Sequence, residues 1–551
     1  MMRNIYFVWV RLAVACLFLL PAAVPRAGAA GKMAVVSKWG RFEQSFKSTV
    51  LYSNALQDVS LRVVFKSPLG ETNEADAFWD GGRTWRVRFS PDMVGHWKFR
   101  TLCSDKDNTG LHNQFGEFIC SVATGLTRFD KHGQVRLARD RRHLEHMDGT
   151  PFFWLADTIW NGGRVAELKD WQYYAGVRAS QRFTAAQWAV APGGDVKNQS
   201  AYTGFPEHIG INPDFFQRLD AKLEVLSQAG ILNAIVPLLE LPSAKNTAPP
   251  LPDSQAELLV RYVVARWGAD PVVWLLAFEG DSAGKNVGRW KQIGQAVFGS
   301  RPHAPVVLFP GGTQWVLDEF RDQKWVDVFG CQNVTDVTED ALKWTFTGPL
   351  AAEWKKEPTR PVIPFAPYEN GLAPQSTNRF SAGDVRRAVY WSLLQSPLAG
   401  VSYGGEGVAN WDRSVGPGQE QATAADIAMW HKALFMPAAK QMSSLARLVT
   451  SIDFPSLRPD PKAVAVQPGE QSPRRFVTAA GTPDKDLAIV YVPEDRTLEL
   501  LLDALPHSPS VYWFNPRTGD SNPSAAVLAG RSCQFPTPEP GDWLLVLKAG
   551  K

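Results

Sequence analysis

The stretch NPDFFQRLDAKLEVLSQAGILNAIVPLL, residues 212–239, holds one complete helix-then-strand unit. Its first part reads as an amphipathic helix, Pro213–Ala229. Asn212 is placed to cap it, Pro213 sits at the first helical position, and Gly230 follows its end. The second part, Leu232–Leu239, is an apolar run of strand length. The same alternation continues from about residue 140 to about residue 436, with a further helix at Gln255–Trp267. Strand-length runs lie at Phe152–Asp157, Thr184–Val190, Leu232–Leu239 and Val272–Phe278, then at Val306–Phe309, Val326–Gln332, Val362–Phe365 and Gly400–Tyr403. Eight strands in this span predict a (β/α)₈ TIM barrel rather than an open sheet. A doubly wound sheet would need a glycine-rich phosphate turn after its first strand, and Asp157-Thr158-Ile159-Trp160 is not one.

On either side the period changes. Leu61–Phe65, Thr84–Phe89 and Trp97–Arg100 alternate in twos and are punctuated by Gly81-Gly82 and Ser90-Pro91-Asp92. From about residue 440, Phe476–Ala479, Leu487–Val492, Thr497–Leu501, Val511–Trp513 and Trp543–Leu547 repeat that pattern. The expected organisation is a signal peptide at 1–29, a β-sandwich at 30–128, the barrel at 135–438 and a second β-sandwich at 440–551.

The 551-residue chain carries a net charge of +3 and is 45% hydrophobic and 21% charged, an ordinary globular balance with no basic stripe for nucleic acid. Arg3 and Arg11 flank the start of the apolar run Leu12–Leu20, and Ala27-Gly28-Ala29 offers a cleavage site near Ala29. The chain is therefore expected to be exported to the periplasm or beyond, with no integral membrane segment in the mature protein. Cys103 and Cys120 flank a polar stretch between strand-like runs, which suits either a cross-strand disulfide or two buried thiols. No CxxC or HxxxH pairing is present, so no metal and no cofactor is expected.

In a barrel, reacting groups project from the C-terminal strand ends. The fourth strand ends in Phe278-Glu279-Gly280-Asp281, the seventh leads into Tyr368-Glu369, and the eighth leads into Gly404-Gly405-Glu406. Facing carboxylates are what glycosidic hydrolysis requires: one protonates the leaving oxygen, while the other attacks the anomeric carbon or activates water. Glu279 and Asp281 compete for one role, and Glu406 is either a contact or a solvated loop residue. Asp157 either touches substrate or pins the barrel mouth by hydrogen bonding. Aromatic planes suit sugar faces, and of the 21 tryptophans, Trp160, Trp188, Trp315 and Trp411 lie near strand ends.

At these positions the chain resembles the apiosidase-like TIM-barrel glycoside hydrolases of bacterial polysaccharide breakdown. Pro151–Thr158 is similar to that family's first barrel strand. Tyr262–Gly268 leading into Val272-Val273-Trp274 resembles its third helix and fourth strand, and Gly400–Gly405 its eighth strand. Phe78-Trp79-Asp80-Gly81 and Gly95-His96-Trp97 resemble the β-sandwich that often precedes such barrels. Trp513–Gly519 and Asp542-Trp543 resemble the collagen-binding-type sandwich that often follows.

The resemblance implies a glycosidase acting on a complex plant or bacterial polysaccharide. Gly280-Asp281 matches the end of the family's Gly-Gly-Asp, which gives Asp281 the acid/base role. The family's seventh strand shows a Glu-Pro before a Tyr-Glu, the first Glu being the nucleophile. Here Ala366-Pro367 stands in the Glu-Pro place, one residue is missing, and Tyr368-Glu369 is kept. Either Glu369 takes over, or the barrel is a catalytically degenerate carbohydrate-binding protein. Asp157, Trp160, Gln187, Trp188, Gln332, Tyr368, Tyr403 and Glu406 are the expected sugar-lining residues.

Overall fold

The computed structural model describes residues 33–241, 250–279, 285–311, 315–332, 334, 336–373, 378–396, 399–413 and 429–550. The expected signal segment, Gly280 and Asp281 lie outside the described residues.

Eight parallel strands close into a barrel: β1 (Trp154–Thr158), β2 (Ala185–Ala191), β3 (Leu232–Leu238), β4 (Val272–Glu279), β5 (Val306–Gly311), β6 (Val328–Gln332), β7 (Val362–Phe365) and β8 (Gly400–Tyr403). Around them run α1 (Leu168–Ser180), α2 (Pro213–Gln228), α3 (Asp253–Trp267), α4 (Lys285–Phe298), α5 (Glu339–Thr347), α6 (Ala382–Leu393) and α7 (Pro437–Thr450). Helix α2 forms as its sequence dictates. The Asn212 side chain accepts from the Phe215 backbone N–H, and Phe215, Leu219, Leu223 and Leu226 bury one face.

Alternation along each strand sorts the side chains. On β4, Val273, Leu275 and Ala277 join Trp154, Leu232, Phe309 and Phe365 inside the barrel, while Trp274, Leu276 and Phe278 pack outward beneath the helices. A small sheet of Val135–Leu137, Leu144–His146 and Pro151–Phe152 closes the N-terminal end, so Phe152 belongs to this plug rather than to β1. With the interior filled and one end closed, the open end is the C-terminal mouth, where TIM-barrel enzymes carry their reacting groups.

The N-terminal module packs a five-stranded sheet on a three-stranded one around Phe42, Phe65, Trp85, Trp97 and Phe118. The expected Cys103–Cys120 disulfide does not form: both residues are buried free thiols. Cys120 pairs with Gly95 at one end of the strand Gly95–Cys103, and Cys103 lies at the other. Eight residues of strand separate the two positions by about 27 Å, far beyond the ~7 Å Cα limit for a disulfide.

This module is joined to the barrel by ions. Arg88 donates to both Asp220 carboxylate oxygens, at 3.1 and 3.0 Å, and Arg266 donates to the same pair at 3.0 and 2.6 Å. Burial alone would raise the Asp220 pKa, but Arg266 and Arg88 together hold it well below the carboxylate range.

At the other end, sequence patterning places strand structure from about residue 440, but the chain there is still helical. Helix α7 buries Ala438, Ala439, Met442, Leu445 and Leu448 in a core shared with Leu155 and Tyr403 of the barrel and with Ile489, Tyr491, Leu544 and Val546 of the C-terminal sheet. Strand pairing begins at Arg458 and continues into a six-stranded sheet packed on a three-stranded one. Arg386 of α6 clamps Asp542 of this sandwich with two bonds of 2.8 Å.

Candidate active site

Three stacked rings floor the mouth. Phe309 and Phe365, the last inward side chains of β5 and β7, lie 3.8 Å apart and nearly parallel, and Trp160 stacks on Phe309 at 6.4 Å. Neither phenylalanine was singled out from the sequence, although counting inward positions from Val307 and Ile363 would have reached both. The Trp160 indole N–H donates to the Tyr368 hydroxyl at 2.7 Å. A Cβ at Gly404 would come within 2.2 Å of the Tyr368 ring, so the ring lies directly on backbone that only glycine leaves clear. Burial pushes the Tyr368 phenol up to about 12, and the nearby Glu406 carboxylate adds to the rise.

Carboxylates stand over this floor. Glu279 is the last residue of β4, on the inward series of Val273, Leu275 and Ala277, and it is exposed. Glu406, half-buried, lies in the loop after β8 beside Tyr368. Strands β4 and β8 are four places apart in a ring of eight, so Glu279 and Glu406 approach the mouth from opposite sides. Gln332, half-buried at the end of β6, continues the inward series of Val328.

Six of the residues expected at the mouth lie away from it. Glu369 is 4% exposed, and its carboxylate accepts from the Tyr403 hydroxyl at 2.7 Å and from the Ala438 backbone N–H at 2.9 Å. Ala438 is the second residue of α7, so Glu369 caps a helix, and an anion there complements the helix dipole. Tyr403 points outward with Val401 into the core around α7 and, like Glu369, is withdrawn from the mouth. Asp157 also points outward and is fully buried, taking a 2.7 Å bond from Arg178 and a 2.9 Å bond from Tyr174. Burial raises its pKa, and Arg178 opposes that rise.

Gln187 is inside the barrel but below the mouth, bonded to Thr158 at 2.8 Å and Ser402 at 2.6 Å. Trp188 lies on the outward face against Trp267, at 5.8 Å, and Trp411 is buried against Trp430, at 4.2 Å. Strand parity explains Asp157, Trp188 and Tyr403: on β1, β2 and β8 the outward positions meet helices, and burial there is complete. Trp160, Gln332, Tyr368, Glu279 and Glu406 are the expected residues that the structure brings to the mouth.

The model of the apiosidase-like catalytic domain matches residues 138–456. The chain belongs to the apiosidase-like family. A domain of unknown function matches residues 35–104, and the "Putative collagen-binding domain of a collagenase" matches residues 459–548. Among solved structures the fold is shared with a glycoside hydrolase family 5 protein from Bacteroides vulgatus at 20% identity and TM-score 0.66, covering 78% of this chain and 95% of that one. A "putative glycoside hydrolase" from the same organism is 18% identical with TM-score 0.70, covering 94% and 99%. No curated protein matches the chain. Among the described residues, no helix is long and apolar enough to cross a membrane.

Proposed function

We propose that the protein is an exported glycosidase that cleaves a glycosidic bond in a complex polysaccharide with two carboxylates. The observation that carries this reading is that Glu279 ends β4 and Glu406 follows β8, on opposite sides of a mouth floored by Trp160, Phe309 and Phe365. The acid at the end of β4 protonates the leaving oxygen. Asp281 holds that role by its match to the family's Gly-Gly-Asp, with Glu279 two residues before it. Glu406 supplies the second carboxylate, because Glu369 is committed to Tyr403 and α7. The Trp160–Tyr368 pair positions the sugar ring, and its apolar surroundings strengthen every charge interaction made there. Export rests on the basic and apolar pattern of residues 1–29.

The test is reducing-sugar release from a panel of plant and bacterial polysaccharides by the purified chain beginning at Ala30. Release that disappears in Asp281→Asn or Glu279→Gln, and again in Glu406→Gln, supports the assignment. Full activity in all three variants refutes it.

A second reading has its own observation. With alanine at 366 and Glu369 turned away, β7 brings no carboxylate to the mouth among the described residues. The protein would then bind glycan without cleaving it. Calorimetric binding without turnover across the panel selects this reading, and bond cleavage eliminates it.

A further inference from the structure

A second cavity, of about 660 Å³, opens on the opposite face of the barrel, where the plug sheet, the end of α1 and the segment after α7 meet. This is within the size range of small-ligand sites. Arg128, Arg182, His146 and Asp453 line it, with apolar wall from Pro151 and Phe454.

The two guanidiniums are the unusual feature. Arg128 is half-buried and Arg182 exposed, and neither makes a side-chain hydrogen bond or ion pair among the described residues, whereas the buried Arg88, Arg178, Arg266 and Arg386 are matched by carboxylates and the buried Arg164 and Arg360 by carbonyl oxygens. Burial holds Arg128 below the usual arginine value with no anion to offset it. Arg182 sits in the left-handed region (φ 64°) at the exit of α1, where an L-residue costs about 1 kcal/mol. Asp453, exposed on the same wall, makes no hydrogen bond or ion pair with either arginine among the described residues, and as a carboxylate it can only accept hydrogen bonds.

We propose that this cavity binds an acidic sugar, a uronate whose carboxylate is held by Arg128 and Arg182 while its hydroxyls donate to Asp453. Two cations beside one carboxylate fit a polyhydroxylated monoanion better than a small inorganic anion, which would meet Asp453 unfavourably. The site is at the closed end of the barrel and holds whether or not the mouth is catalytic.

Calorimetry with the full mature chain tests it, using glucuronate, glucose and inorganic phosphate as probes. Glucuronate is expected to bind at least about tenfold more tightly than glucose and to weaken with added salt. Binding should fall about tenfold in Arg182→Gln and again in Arg128→Gln, with unfolding midpoints close to that of the parent and binding unchanged in Glu406→Gln. Three results overturn the proposal: no glucuronate binding by the folded protein, binding undiminished in both arginine variants, or loss in Glu406→Gln. Phosphate binding as tightly as glucuronate also overturns it, in favour of a simple anion site.

Discussion

Replacing Glu369 separates a structural carboxylate from a chemical one. The side chain holds two donors, the Tyr403 hydroxyl at 2.7 Å and the Ala438 N–H at 2.9 Å, at the start of a 14-residue helix. Hydrogen bonds to a charged acceptor contribute about 1.5–3 kcal/mol each, and an anion at a helix N-terminus about 0.3–2 kcal/mol. Glu369→Ala strands both buried donors and is expected to cost about 3–5 kcal/mol. Glu369→Gln keeps one acceptor oxygen and loses the charge, at about 1–2 kcal/mol. Urea unfolding of both variants measures these costs. Hydrolysis by the folded Gln variant, assayed well below its midpoint, is expected to stay within about tenfold of the parent, because Glu369 touches no reacting atom. A loss of about 10⁴-fold with an unchanged unfolding curve would refute the reasoning and return Glu369 to the role of nucleophile.

Trp160→Phe keeps a ring over Phe309 but removes the donor to Tyr368, and glycan affinity measured by calorimetry is expected to fall about five- to tenfold. Asp270 is buried with its pKa raised to about 6 from 3.8, by burial with only partial relief from Arg41. The folded state therefore holds this proton more tightly than the unfolded chain, so stability is lost as pH rises through that window. Asp270→Asn should recover about 1–3 kcal/mol at pH 7 and nothing below pH ~3.5, as read from urea midpoints at the two pH values. Arg386→Met leaves the buried Asp542 carboxylate with the Tyr491 hydroxyl and the Arg517 guanidinium, 4.0 Å away, as partners, and should cost about 3 kcal/mol. Limited proteolysis is expected to release the C-terminal sandwich first. Reductant should leave the melting temperature unchanged, since Cys103 and Cys120 are free thiols. A shift of several degrees would show a disulfide.

The eight strands were legible because each is a largely apolar run between helical periods; the first and sixth were begun two residues early, at Phe152 rather than Trp154 and at Val326 rather than Val328, and the second one residue early, at Thr184. The site was less legible, for a reason of parity. Reading a strand end as "near the mouth" does not say which of two adjacent residues faces it. Asp157, Trp188 and Tyr403 fall on outward positions, whereas Glu279 and Gln332 fall on inward ones. Counting alternation outward from the apolar interior separates these groups on sequence alone. The fate of Glu369 was beyond such counting, because its partner Ala438 is 69 residues away. The same holds for Cys103 and Cys120, whose spacing carries no information about which ends of two paired strands they occupy.

Helix α7 packs the barrel on one side and the C-terminal sheet on the other, and its first turn is held by the residue that follows Tyr368. The C-terminal module is therefore not an interchangeable attachment. A recombination joining this barrel to a different partner near residue 458 would have to carry α7 with the barrel and present it an equivalent apolar face. A junction placed before Pro437 would take the Ala438 N–H away from Glu369, leave Tyr403 as the donor on the barrel side, and loosen the loop that presents Tyr368. Modular shuffling of these sandwiches is thus constrained to one side of a single helix.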